Sequence, residues 1–300
     1  MKTWTTAILA GGLIAGMTIH PALAETIDES RPAAADGRIE FSGVTGDFEI
    51  IGHDAEEFLL SGELGDDVEE LIIEGDAGNW EIRLEMKEGN SWGMNRRSSD
   101  LRLLVPHGAD FEVSTVSADV VLRELDGPSV GARSVSGDIE LSGVRPGELG
   151  VRTVSGKIVS DSGGSSVSRL QSVSGDLTLD EGRGRIGLKS VSGRITVEGT
   201  AISEFEAETV SGDVVARLSP IERAKVSVTS HSGDLELVLP AGTALRLDAE
   251  TFSGSIESRV GGERTEGYGP GEKLSLDDGA GSVEIDARTF SGNLRIARQD

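Results

Sequence analysis

Ser172-Val173-Ser174-Gly175-Asp176-Leu177-Thr178-Leu179 is followed eighteen residues later by Ser190-Val191-Ser192-Gly193-Arg194-Ile195-Thr196-Val197. Both are copies of one pattern, [ST]-[VFH]-S-[GA], which occurs nine times. The copies are Thr115–Ala118, Ser134–Gly137, Thr153–Gly156, Ser172–Gly175, Ser190–Gly193, Thr209–Gly212, Ser230–Gly233, Thr251–Gly254 and Thr289–Gly292. Measured at the fourth position, the spacings are 19, 19, 19, 18, 19, 21, 21 and 38. The last is twice 19, which reads as one overwritten copy. A fixed period near 19 means one structural unit stacked many times.

Within each copy the residues alternate. Val135, Gly137, Ile139 and Leu141 alternate with Ser136, Asp138 and Glu140, which predicts a half-buried strand with the first set inward. A shorter strand precedes each motif. Leu245, Leu247 and Ala249 alternate, but the next apolar residue, Phe252, comes three positions on. The same slip separates Val113 from Val116 and Leu188 from Val191, and it requires a corner or bulge. The Ser or Thr of the motif is expected at that corner, its hydroxyl satisfying a freed backbone group. The inward Gly is expected to let two walls approach closely. Such a unit is too small to stand alone, so the chain is expected to be all-β. It is read as a parallel β-solenoid (β-helix) of ~19-residue coils about 4.8 Å apart. An antiparallel sandwich is the alternative, but it does not readily give identical units in consecutive register.

Stacking turns the residue after each motif into a column: Asp119, Asp138, Lys157, Asp176, Arg194, Asp213, Asp234, Ser255, Asn293. From Asp138 to Asp213 the signs alternate. Opposite charges one coil apart attract by roughly 0.2–1 kcal/mol per pair, and like charges repel.

The chain has 300 residues, 41 glycines, 4% aromatic residues and no cysteine. Lys2, the apolar stretch Ala7–Ile19 and the A-x-A site Ala22-Leu23-Ala24 read as a signal peptide cleaved after Ala24, the alternative being an uncleaved anchor. With no cysteine, lipid attachment at a processed cysteine and a disulfide framework are not expected. The net charge is −24, or −25 once the positive charge of Lys2 is removed. So acidic a chain is not expected to bind nucleic acid or to adsorb directly to anionic lipid.

Three segments follow: 1–24 as signal peptide, 25–110 as leader and strand-rich N-terminal cap, and 111–300 as repeat region with a C-terminal cap. In the cap, Val44–Ile50 resembles a motif strand with Thr45 in place of Ser, and strands are expected at Leu71–Glu74, Trp80–Met86 and Leu101–Val105. At the far end, Val260–Gly281 fills the place of the missing copy. Phe252 and Phe290 replace the usual Val, as expected where a core is plugged at its end.

Familiar catalytic patterns fail on context. Gly127-Pro128-Ser129-Val130-Gly131 matches G-x-S-x-G but lies in a turn between strands, not between a strand and a helix. Gly182–Gly187 matches G-x-G-x-x-G, but the next repeat strand follows it, so no helix N-terminus receives a pyrophosphate. His53, His107 and His231 are not at metal-ligand spacing, and His231 is expected to be packed inward in the Val position. No cofactor or metal is expected; weak calcium sites near Asp66, Asp67, Glu69 and Glu70, or Asp277 and Asp278, stay open. For a sugar cleft, Trp80 and Trp92 are the aromatic candidates.

The V-S-G-D-[IL] strands, with Asp100–Pro106 (D-L-R-L-L-V-P) and the closing T-F-S-G-N-L at Thr289–Leu294, make residues 40–298 resemble the bacterial putative-adhesin family. These are β-strand-repeat envelope proteins with a domain of unknown function. The resemblance implies an elongated β-solenoid-like domain in the cell envelope and no established catalytic residues. The expected function is therefore an exported, non-enzymatic envelope protein, periplasmic or extracellular, that binds glycan or an envelope protein. The binding face is expected in the outward columns Ser136, Ser155, Ser174, Ser192, Ser211 and Asp138, Lys157, Asp176, Arg194, Asp213. Two alternatives stay open. One is a sensor or regulatory partner in an envelope-stress pathway, bound through the cap; the other is a polysaccharide-active β-helix enzyme. The oligomeric state is not read from the sequence.

Overall fold

A computed structural model describes residues 25–87, 97–161, 164–266, 270–279 and 282–299. The expected signal peptide, Trp92 and Tyr268 lie outside the described residues. All 24 regular elements among the described residues are strands, largely parallel, over one continuous core. They form two walls. The strands Leu177–Lys189, Ile195–Thr209 and Val214–Ser230 run without a break from the second wall into the first.

In the first wall Asp110–Ser114, Ser129–Arg133, Glu148–Arg152 and Val167–Gln171 pair in parallel, then join the second halves of the three long strands. In the second wall Ser117–Arg123, Ile139–Ser142 and Ile158–Ser160 pair in parallel and join the first halves. The partners run Ile139, Ile158, Leu177, Ile195, Val214, Leu235, which are steps of 19, 19, 18, 19 and 21 residues. These are the motif spacings. Each motif is the connection between the first wall and the second.

Both ends depart from sequence order. Val283–Thr289 pairs with Val214–Ser230 on one edge and with Leu245–Thr251 on the other. Leu294–Arg298 likewise lies between Leu235–Leu239 and Ile256–Ser258. The last motif copy is thus inserted between the seventh and the eighth. The segment expected to fill a gap in the stack instead forms the hairpin Glu263–Glu266 and Glu272–Asp277, which closes the first wall against Leu245–Thr251 in antiparallel fashion. The N-terminal end mirrors this. Arg38–Ser42 lies between Asn79–Met86 and Asp110–Ser114, and Thr45–His53 between Ser99–Pro106 and Ser117–Arg123. Antiparallel strands Val68–Asp76, Glu57–Leu64 and Glu25–Pro32 lie outermost. Capping of this kind hides the open edges of a parallel stack. Thr45 and Gly46 stand in register with Ser117 and Ala118, as the motif-like Val44–Ile50 predicts.

The expected inward set needs one correction. Gly137, Ile139 and Leu141 are buried, but Val135 is 48% exposed. The buried residue before Gly137 is Ser134, at 6% exposure. The inward row therefore runs Val130, Ala132, Ser134, and the three-residue slip falls between Ser134 and Gly137. His231 is exposed rather than packed inward, and Phe252 and Phe290, at 40% and 47%, plug no core. The physical reason is the hydroxyl. Gly137 N–H donates to Ser134 Oγ at 2.9 Å, Gly175 N–H to Ser172 Oγ at 2.8 Å, and Gly193 N–H to Ser190 Oγ at 2.9 Å. A buried amide that turns the corner would otherwise be orphaned, at a cost of about 1–3 kcal/mol. A valine facing inward there could not accept it.

The glycine is also required for a reason other than the expected one. A Cβ at Gly156, Gly175 or Gly193 would overlap the carbonyl oxygen of the equivalent glycine one repeat earlier. The close approach is between stacked copies of the corner, not between the two walls.

Candidate interaction surface

Because two consecutive residues point outward at each corner, the stack displays two adjoining columns. The first is Val116, Val135, Val154, Val173, Val191, Val210, His231, Phe290 and Phe252. Its valines and phenylalanines are 40–48% exposed. At about 4.8 Å per strand the ridge extends for about 38 Å. At its end the rings stack: His231 lies on Phe290 with centroids 5.0 Å apart, and Phe290 on Phe252 at 4.6 Å. Nothing in the hydrophobic parity points to this ridge, since parity alone sends valine inward. The signal that could have found it is the invariable Ser or Thr in front of each of these residues.

The second column is serine throughout. Ser136, Ser155, Ser174, Ser192 and Ser211 are exposed, as expected. Their backbone amides donate to Val116, Val135, Val154, Val173 and Val191 carbonyl oxygens at 2.8–2.9 Å. Ser117 Oγ and Ser136 Oγ lie 3.3 Å apart along the ladder, and the Ser136 hydroxyl also donates to the Val116 carbonyl at 3.2 Å.

Beyond the buried glycine lies the charged column. Asp119 Oδ1 accepts the Asp138 amide at 2.8 Å, Asp138 Oδ1 accepts the Lys157 amide at 2.8 Å, and Asp176 Oδ1 accepts the Arg194 amide at 2.8 Å. Asp213 and Asp234 do the same for Asp234 and Asn293, at 3.1 and 2.8 Å. Each carboxylate therefore satisfies an amide one repeat on, which explains why Asp predominates. The alternation of sign yields ion pairs, Lys157–Asp138 at 3.5 Å and Arg194–Asp213 at 3.3 Å. Asn293 stands between Asp234 and Ser255, so the inserted last copy puts a neutral amide beside the carboxylate.

The other candidates are structurally engaged. Trp80 is half-buried, its ring edge-on to Phe58 and its Nε1–H donating to the Pro32 carbonyl at 2.9 Å, so it offers no free platform. Asp66 accepts the Arg97 amide and pairs with its guanidinium at 3.2 Å, and these contacts hold its carboxyl below the usual range. Asp277 accepts the Gly279 amide and pairs with Arg246 at 3.2 Å. Ser129 opens a strand after a turn, and Gly182–Gly187 lies within the strand Leu177–Lys189.

The family model "Toastrack DUF4097" matches residues 58–297. The chain belongs to this family. The putative-adhesin resemblance read from the V-S-G-D-[IL] strands holds at the level of the toastrack domain. Three solved structures are similar to this toastrack chain. A putative adhesin from Parabacteroides merdae is 13% identical, with 92% of this chain and 97% of that one covered and a TM-score of 0.40. A putative adhesin from Bacteroides fragilis is 9% identical, with 92% and 97% covered and a TM-score of 0.39. A putative lipid binding protein from Parabacteroides distasonis is 16% identical, with 91% and 97% covered and a TM-score of 0.37. A search of curated proteins finds no match.

Proposed function

We propose that this toastrack protein is an exported, non-enzymatic envelope protein of adhesin type, periplasmic or extracellular, which holds a repetitive glycan along its corner ridge. In this reading each 18-to-21-residue step is one coil of a parallel β-solenoid capped by the N-terminal strands. One observation carries the proposal: an uncharged, exposed double column of Val/His/Phe and Ser runs unbroken through nine copies of the corner on a chain of net charge −24. Exposed apolar rows rimmed by polar groups mark interaction sites. Here valine and phenylalanine offer surface to the C–H faces of sugars, and the serine hydroxyls offer hydrogen bonds at a regular repeat. A repeating partner gains from many weak, equally spaced contacts.

The test is calorimetric titration of polysaccharides against the native chain and against Ser155→Arg/Ser174→Arg. The variant adds two long cations to adjacent steps of an exposed column, where both side chains have room in solvent to spread apart. Binding should disappear while the melting temperature stays unchanged. Equal binding by both proteins would sink the ridge as the site.

A further inference from the structure

The outer face of the first wall carries a feature that the ridge does not account for. On the strands Ser129–Arg133, Glu148–Arg152, Val167–Gln171 and the second half of Leu177–Lys189, the outward residues include five cations, Arg133, Arg152, Arg169, Arg185 and Lys189, against one carboxylate, Glu148. This lies in a chain with 52 acidic and 28 basic residues. The cations surround open space. At Gly150 and Gly187 a Cβ would meet no atom within 4 Å. Arg169 stands between these two hollows, Arg152, Lys189 and Arg185 rim them, and Glu204 and Glu206 of the next strand close the far side of the one at Gly187.

Three of these cations are tethered to the flanking strands, and Arg169 pairs within the patch. Arg133 pairs with Glu112 at 2.5 Å, Arg185 with Glu204 at 2.7 Å, Lys189 with Glu208 at 2.8 Å and Arg169 with Glu148 at 3.6 Å. Arg152 makes no ion pair among the described residues. Glu112 is half-buried, but the pairs of Arg169, Arg185 and Lys189 are exposed, and such pairs are worth about 0–1 kcal/mol and exchange readily for a better anion. The hollows contain no aromatic side chain, so bases would find nothing to stack on. The patch covers four strands, too few to offset the rest of the acidic surface against a duplex or a membrane. What fits is a linear chain with anions at regular intervals, laid across strands that present cations at regular intervals.

We propose that this trough binds an anionic polysaccharide, through its carboxylate or sulfate groups, with Arg152 and Arg169 as the central contacts. The proposal rests on the glycan reading for the class of partner, but places it at a second site that needs no corner serine.

The test measures binding of heparin and polygalacturonate, with dextran as neutral control, to the full chain by calorimetry at about 50 and about 200 mM NaCl. Native protein should bind both polyanions, more weakly at the higher salt. Arg152→Glu/Arg169→Glu should weaken them by about tenfold or more and lower the salt slope by roughly one per cation removed. Gly150→Glu is the second variant. It fills the hollow with a carboxylate where there is room for a side chain, so loss of polyanion binding at an unchanged melting temperature is expected there too. Unchanged binding in these variants would overturn the proposal. So would failure of the native chain to bind either polyanion, or retention by phosphatidylglycerol vesicles alone. Polyanion binding that survives Ser155→Arg/Ser174→Arg, with no dextran binding by the native chain, would leave this site standing and count against the ridge. Dextran binding that is lost there, with polyanion binding indifferent to Arg152 and Arg169, would do the reverse.

Discussion

A methyl group at Gly175 would collide with the Gly156 carbonyl oxygen, whereas one at Gly187 would meet open space. Gly175→Ala should therefore destabilise the protein by roughly 1–3 kcal/mol and Gly187→Ala by little, as read from urea unfolding midpoints. Ser172→Ala removes the acceptor of the Gly175 amide and should cost about 1–3 kcal/mol, with Thr at that position tolerated because Thr153 makes the same bond at 3.1 Å. At this scale the sequence was misleading in one specific way. Apolar parity assigns the motif valine to the core, and it is exposed; the Ser or Thr before it is expected at the corner with its hydroxyl on a freed backbone group, and it is found there. Parity fails for the valine because the buried place at the turn is taken by the hydroxyl that the turn's own backbone needs. The outward serine and aspartate columns were legible, since nothing competes for those positions.

Among elements, the insertion of Val283–Arg298 into the stack is the feature with most consequence. Its two strands are hydrogen-bonded on both edges. Removing residues 283–300 should leave the strands Val214–Ser230 and Leu245–Thr251 facing an empty slot. Hydrogen exchange should then show loss of protection through residues 235–277, with residues 110–200 retained, because stacked units depend chiefly on their neighbours. The register was readable from the motif spacing. The order was not, because a spacing of 38 is compatible with a gap as well as with a threaded return. The opposite corner has its own device. Glu124, Gly143 and Glu181 adopt φ of 54°, 65° and 57°. A left-handed glutamate is strained, so Glu181→Gly should stabilise by up to about 1 kcal/mol in the same unfolding assay.

For the whole molecule, charge links the stacked turns near the N-terminal end. His107 Nδ1 lies 2.6 Å from Asp126 and its Nε2 3.5 Å from Asp54, and the hydrogen bond to Asp126, with the nearby charges, raises its pKa above the usual histidine value. A raised folded pKa contributes stability that is complete below the unfolded value and is lost as pH rises through the folded one. Unfolding midpoints measured from about pH 5 to about pH 9 should fall across that window, and His107→Gln should flatten this component. The all-β class and the repeating unit were visible in the chain from its period alone. The ridge and the trough were not, since each depends on which side of a corner a residue faces and on which strands become neighbours.

That neighbour relation is the premise of the ridge, and a chain without cysteine allows it to be tested directly. Two double variants, His231→Cys/Phe290→Cys and His231→Cys/Phe252→Cys, would be oxidised mildly and scored for an intramolecular disulfide by mass spectrometry. Neighbouring strands bring Cα atoms within disulfide range, and strands two apart do not. The stacked order His231, Phe290, Phe252 predicts a bridge in the first variant, with native stability, and none in the second. A bridge between positions 231 and 252, with none between 231 and 290, would contradict it.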